Sequence, residues 1–241
     1  MVSEIICQDL TKNINNKKIL RGINLRVKQG EVVALLGPNG AGKTTTFSIL
    51  CGITKPSSGA VIFDSKNITD LPMYKRARLG IGYLPQETSI FRGLSVEENI
   101  IAALELSKVP SKNRHEILGN LLKDLSLTAV RKSPALSISG GERRKLEIAR
   151  ALALNPKFIL LDEPLAGIDP LAIQDMRDMI SSLKNRKIGV IITDHNVRDT
   201  LPMIDRGYII FDGKIIAEGT AEEITKNETS KKMYFGENLF K

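Results

Sequence analysis

The chain has 241 residues, 42% hydrophobic and 26% charged, a balance that excludes disorder and collagen-like repeats and allows a sizeable buried core. Its formal net charge of +8 fits nucleic acid, an anionic membrane surface or simple solubility. Ten Lys or Arg against four Asp or Glu in residues 108–150 put +6 of that charge in one middle segment, which on composition alone also reads as a solvated helical face. The opening residues carry Glu4 and Asp9 where a signal peptide would be basic and then apolar, and Cys7 and Cys51 have neither CxxC spacing nor metal-ligand neighbours. A reduced cytoplasmic setting is expected. The apolar runs fall far short of the roughly 20 residues of a membrane span.

In chain order, residues 4–10 and 19–27 alternate weakly and predict strands separated by the turn-rich NINNKK. The run 32–36 predicts a buried strand and residues 43–51 a helix. A strand is expected at 81–84, then helices at 96–106, 113–125 and 142–154, which make a helix-rich insertion at about 95–155 coincident with the basic segment. Strands follow at 158–161, 189–192 and 208–211, with a helix at 171–183. This alternation predicts an α/β fold with a parallel sheet. Residues 220–241 predict a short helix pair anchored by Tyr234 and Phe235. No repeat or low-complexity tract divides the chain, so a single unit with a subdomain is expected.

Residues 37–44 read GPNGAGKT, satisfying GxxxxGK(S/T) between a strand and a helix. Gly37, Pro38, Asn39, Gly40, Ala41 and Gly42 form a loop whose backbone N–H groups can converge on phosphate oxygens, and the helix start adds its positive end. Lys43 supplies a point charge for the β- and γ-phosphates, Thr44 a hydroxyl for Mg²⁺ and Thr45 a further phosphate contact. The second half of such a site is a carboxylate at the end of a buried strand. FILLDE (158–163) supplies Asp162 for the metal and, one residue on, Glu163 to polarise an attacking water. SGGE (139–142) opens a second helix start suited to an anion. Two such starts in one chain suggest that Ser139, Gly140, Gly141 and Glu142 of one protomer close over the nucleotide bound by another.

The order of these motifs resembles that of the ATP-binding-cassette (ABC) ATPases over nearly the whole chain. GPNGAGKT matches the Walker A loop, YLPQ ending at Gln86 the Q-loop, and ISGGE the signature, with Ile138 and Glu142 in place of Leu and Gln. FILLDE matches Walker B, AGID ending at Asp169 the D-loop, and TDHN around His195 the switch histidine. The resemblance implies a P-loop NTPase fold with a RecA-like αβα core, an antiparallel β subdomain and a helical subdomain at about 95–155, all within one domain of residues 1–241. It implies that Gln86 senses the γ-phosphate and Mg²⁺, that His195 contacts the γ-phosphate, and that Asp169 communicates across a homodimer with ATP between its protomers. It also places an aromatic side chain on the adenine in many members. This chain has no aromatic residue or histidine before Phe47, and Ile14 occupies the expected position.

Longer stretches, among them RARLGIGYLPQETSIFRGLSVEENI and ITDHNVRDTL, resemble the ATPases of bacterial lipopolysaccharide exporters. That resemblance implies a subunit attached peripherally to the cytoplasmic face of the inner membrane by transmembrane permeases of the LptF and LptG kind. Phe91 and Arg92 would line the groove for their coupling helices. Two alternatives are an importer ATPase, such as the branched-chain amino-acid type, and a cytoplasmic ABC protein acting on nucleic acid or ribosomes. The latter usually needs tandem cassettes or long insertions that 241 residues do not hold, so no direct nucleic-acid partner is expected. The C-terminal segment caps the ATPase dimer in the resemblance, but simple surface packing explains it equally well.

Overall fold

Short apolar runs without alternation suit strands covered on both faces, and three of them form the centre of the molecule. In the computed structural model, which describes residues 2–166 and 170–235, every residue of β3 (Val32–Leu36), β7 (Phe158–Asp162) and β8 (Gly189–Asp194) is buried. With β6 (Ile81–Leu84), β9 (Arg206–Phe211) and β10 (Lys214–Gly219) they make a six-stranded sheet of order β10-β9-β3-β8-β7-β6. All neighbours pair in parallel except β10, which folds back on β9. Successive residues of β7 serve opposite faces. Phe158 and Leu160 join one buried cluster with helix α1 (Lys43–Cys51), while Ile159 and Leu161 join another formed with the later helices.

A second, antiparallel sheet of order β2-β1-β4-β5 is built from β1 (Glu4–Ile14), β2 (Lys17–Lys28), β4 (Ser58–Phe63) and β5 (Lys66–Asn67). Its inward residues, among them Ile5, Leu20, Leu25 and Val61, share one cluster with Phe47, Ile49 and Leu50 of α1. The helix that follows the glycine loop is thereby clamped between the two sheets. The β1–β2 turn is tighter than the expected NINNKK. Only Asn15 and Asn16 turn, with φ of 48° and 63°, a backbone that asparagine tolerates, and Ile14 belongs to the strand.

Helix α2 (Met73–Leu79) and strands β4, β5 and β10 are absent from the sequence reading. Three of the seven residues of α2 are Lys or Arg, so it offers little apolar periodicity. It is held instead by Arg76, whose buried guanidinium donates to the carbonyls of Ile49, Leu50, Thr69 and Leu71 at 2.6–2.9 Å. Two of those carbonyls belong to the last turn of α1, where a cation complements the helix dipole.

The helix-rich insertion consists of α3 (Val96–Leu106), α4 (Ser111–Asp124) and α5 (Gly140–Ala153). Their apolar faces merge with α6 (Pro170–Asn185) and one face of the large sheet in a single buried cluster. Much of the insertion's positive charge is engaged within the chain: Arg114 pairs with Glu105 at 2.6 Å, Arg131 with Glu97, Arg144 with Glu147 at 2.8 Å and Lys145 with Asp175 at 3.1 Å.

After α7 (Val197–Thr200), β9 and β10, the expected helix pair takes the form of two short helices, α8 (Ala221–Lys226) and α9 (Glu228–Ser230), then one wide turn over Lys231–Phe235. Phe235 is buried against Ala34, Leu36, Val197, Leu201, Ile209 and Ile224, and Tyr234 packs beside it. Among the described residues no helix is long and apolar enough to cross a membrane.

Candidate functional site

The carboxyl ends of β3, β7 and β8 converge, and the chemistry-bearing motifs leave the sheet there. After β3 the backbone passes so close to β9 that a Cβ on Gly37 would lie 2.2 Å from the carbonyl oxygen of Ile210. Gly42, at φ +111°, caps α1 without a side chain, and a Cβ there would meet Leu20 at 2.6 Å. The first N–H groups of α1 are therefore left for a ligand rather than a capping side chain. Lys43 is 4% exposed, and its Nζ donates to the carbonyls of Gly37 at 2.8 Å and Pro38 at 3.2 Å. It also stands 3.8 Å from Glu163 Oε1. Burial pulls the Lys43 pKa down, and Glu163, Asp194 and Asp162 oppose that pull. A cleft of about 310 Å³ opens over the loop, lined by Asn39, Gly40, Gly42, Lys43, Thr44, Thr45 and Glu163, with Lys17 and Ile19 along one side.

Asp162 is fixed at the end of β7 by two donors, Thr193 Oγ1 at 2.5 Å and the Tyr83 hydroxyl at 3.3 Å. Burial, then the Asp162 charge, pushes the Tyr83 pKa up and keeps it a donor. Glu163 takes a left-handed backbone at φ +45°, a conformation costing about 1–3 kcal/mol in a non-glycine residue. Its N–H is held by the Thr193 carbonyl at 3.0 Å and hydroxyl at 3.1 Å. The turn aims the carboxylate between Lys43 and His195, whose Nδ1 is 3.3 Å from Glu163 Oε2. Asp194 is fully buried, and its Oδ1 accepts from the N–H groups of His195 at 2.7 Å and Asn196 at 2.8 Å. Its Oδ2 has no partner among the described residues, and burial raises its pKa.

The donor set fits Mg²⁺. Thr44 stands exposed at the start of α1, and Asp162 offers a carboxylate, both hard oxygen ligands. No group of three His, Cys, Asp or Glu able to hold a metal occurs among the described residues. A cation that keeps several waters and relies on substrate phosphates needs no such cage.

Lys43, Glu163, His195 and Asp162 thus lie close together. Gln86 is exposed in the loop after β6, beyond β7, and makes no hydrogen bond or ion pair with that group. Asp169 lies outside the described residues. Ile14 sits 45% exposed at the end of β1, opposite Lys17. Ser139 is the N-cap of α5 and forms a capping box: Glu142 N–H donates to its Oγ at 3.2 Å, and its own N–H donates to Glu142 Oε2 at 2.8 Å. Glu142, one of the two departures from the usual signature, therefore serves the helix start itself. A Cβ on Gly141 would meet nothing within 4 Å, so that start is sterically open.

Phe91 is 38% exposed, with the Arg150 guanidinium over its ring, 4.1 Å from the ring centre, and Asn99 holds its backbone through both the N–H at 2.8 Å and the carbonyl at 3.0 Å. It borders a second cleft of about 140 Å³ that includes Leu106, Glu147, Arg150 and Leu154. Arg92 is exposed beside it and does not line that cleft. The sequence reading gave no role to Tyr83, Thr193, Asp194, Lys17 or Ile19. Thr193 and Asp194 adjoin His195 and could have been found as strand-end polar residues, whereas the part of Tyr83 depends on β6 pairing with β7.

The ABC transporter family model matches residues 20–166. A probable ABC transporter ATP-binding protein of Azorhizobium caulinodans is 54% identical over 230 residues, covering 95% of this chain and 82% of the relative. The lipopolysaccharide export system ATP-binding proteins LptB of Haemophilus influenzae and Escherichia coli K12 are 48% and 46% identical, each over 99% of both chains. Among solved structures, an ATP-binding cassette of an ABC transporter in its ADP conformation superposes with a TM-score of 0.87 at 29% identity, covering 98% of this chain and 100% of the other. A dimeric cassette in a post-hydrolysis state, bound to ADP and Pi, gives 0.78 at 25% identity, over 90% and 98% of the two chains.

Proposed function

Because the chain belongs to the ABC transporter family, as one of its ATP-binding, ATP-hydrolysing subunits, we propose that it powers the extraction of lipopolysaccharide from the inner membrane toward the outer membrane. The observation that carries this reading is the near end-to-end match to proteins named for that export system. The partners are then transmembrane permeases of the LptF and LptG kind, bound at the cleft bordered by Phe91, with Arg92 exposed beside it. They hold the protein on the cytoplasmic face of the inner membrane. The chain is one ABC domain, with residues of about 95–155 as its helical subdomain and about 220–241 as a short C-terminal extension.

ATP lies with its phosphates on the loop Gly37–Gly42 and the start of α1, and its base toward Ile14. As the phosphates enter, Lys43 exchanges the Gly37 and Pro38 carbonyls for β- and γ-phosphate oxygens, a charge-assisted contact. Thr44, Asp162 and Gln86 would hold Mg²⁺, which would supply charge neutralisation for the phosphates. Thr45 adds a phosphate contact. Glu163 orients and polarises the attacking water, and His195 contacts the γ-phosphate from the next strand end. Ser139, Gly140, Gly141 and Glu142 of the other protomer close the site, and Asp169 links the two sites across the dimer. Positioning and charge neutralisation account for most of the rate. Closure pulls on the permeases, and hydrolysis reopens the dimer.

Glu163→Gln keeps the shape of the side chain and removes the base. The variant is expected to lose at least about a hundredfold in turnover while accumulating as an ATP-bound dimer on size exclusion with Mg-ATP. Unchanged turnover, or a persistent monomer at high protein concentration, would contradict the assignment.

A further inference from the structure

We infer that Tyr234, in the C-terminal segment, is a positioning residue of the ATPase site, acting through the backbone of His195. Its hydroxyl donates to the His195 carbonyl at 3.1 Å. This side chain thereby ties the C-terminal segment to the loop that leaves β8, the parallel neighbour of β3. The other peptide group of His195 is also held, because its N–H donates to Asp194 Oδ1 at 2.7 Å. Both main-chain groups of His195 are thus fixed by side chains, and its ring reaches Glu163 Oε2 at 3.3 Å.

The placement of Tyr234 is built into the fold. Phe235, its neighbour, is buried among residues of β3, β9, α7 and α8, and the two rings lie 5.3 Å apart. Ahead of them, Thr220 and Glu223 form a capping box on α8, and the Asn227 side chain accepts from the Ser230 N–H at 2.9 Å, with Ser230 fully buried. The segment is therefore anchored along its length, and Tyr234 projects from an anchored turn. Burial and the charges of Asp194 and Glu163 push the phenol pKa up, so the hydroxyl remains a donor at neutral pH. This hydrogen bond accounts for the approach of Tyr234 to the catalytic edge of the sheet, whether or not the C-terminal segment also caps a dimer.

The inference rests on the assignment of Glu163 and His195 above. Tyr234→Phe removes only the hydroxyl. In the full chain, kcat is expected to fall about five- to tenfold, the loss of one well-placed hydrogen bond. KM for Mg-ATP and the melting temperature stay at parental values. The same substitution made on His195→Ala lowers its residual turnover no further, because the position it defends is gone. A parental kcat in Tyr234→Phe would overturn the inference. So would a loss that persists undiminished on His195→Ala, or a loss matched by a lowered melting temperature, which would reduce Tyr234 to packing. If Glu163→Gln and His195→Ala retain full turnover, it is the underlying reading that fails. If they lose it while Tyr234→Phe does not, only this inference fails.

Discussion

Lys43 shows how this site is poised before nucleotide arrives. A buried ammonium without a counter-charge is costly, and here it is satisfied by two loop carbonyls and by Glu163 at 3.8 Å. Incoming phosphates replace partners of the same polarity, so binding needs little rearrangement of the lysine. The base end of the site is less well provided. Ile14 can cover a purine but forgoes the roughly 0.5–1.5 kcal/mol that an aromatic ring adds beyond area burial. Ile14→Tyr is therefore expected to tighten ATP binding about two- to tenfold in a titration, and discrimination among purine triphosphates should sharpen with it. Unchanged affinity would remove Ile14 from the base and leave Lys17 and Ile19, which line the cleft. Residues inside motifs were legible at this scale because their chemistry depends on local spacing. Tyr83 and Tyr234 were not, because each acts on a motif 79 and 39 positions away along the chain.

Among the elements, α1 and α3 begin and end at the residues the sequence predicts, 43–51 and 96–106. Ser95 and Glu98 form a capping box at the start of α3, as Ser139 and Glu142 do at α5. The missed elements have physical reasons. The seven residues of α2 depend on the carbonyls that Arg76 reaches rather than on an apolar face, and β5 has two residues, both exposed. The insertion's basic surplus is partly consumed by Glu97, Glu105, Glu147 and Asp175, which weakens any reading of it as a nucleic-acid surface. Around Phe91, the Arg150 guanidinium and the Asn99 amide fix the ring at the mouth of the 140 Å³ cleft. Phe91→Ala is expected to reduce copurification with the membrane subunits at least about tenfold, the scale of an interface anchor, and to spare ATPase activity in the isolated protein. Equal loss of both would assign Phe91 to the core.

Taken whole, the molecule gathers its functional loops at one edge of the parallel sheet, where the chain leaves β3, β7 and β8 for a helix or turn. Open α/β sheets bind ligands at that edge, and the neighbouring strands bring Lys43, Glu163 and His195 within reach of one another. The antiparallel sheet clamps α1 from outside, and Phe235 packs on β3 while Tyr234 reaches the loop after β8. The parallel sheet was legible because strands buried on both faces must be apolar throughout. The antiparallel sheet was only half legible, since β4 pairs with the distant β1 and β5 has only two residues, both exposed.

The most direct test of the central claim is to purify the tagged protein from detergent-solubilised membranes of its own organism and identify by mass spectrometry the membrane proteins that accompany it. The account predicts two permeases of the LptF and LptG kind in stoichiometric amount, with ATP turnover retained in the complex. Recovery of an amino-acid permease pair instead would leave the ATPase chemistry standing and contradict lipopolysaccharide export.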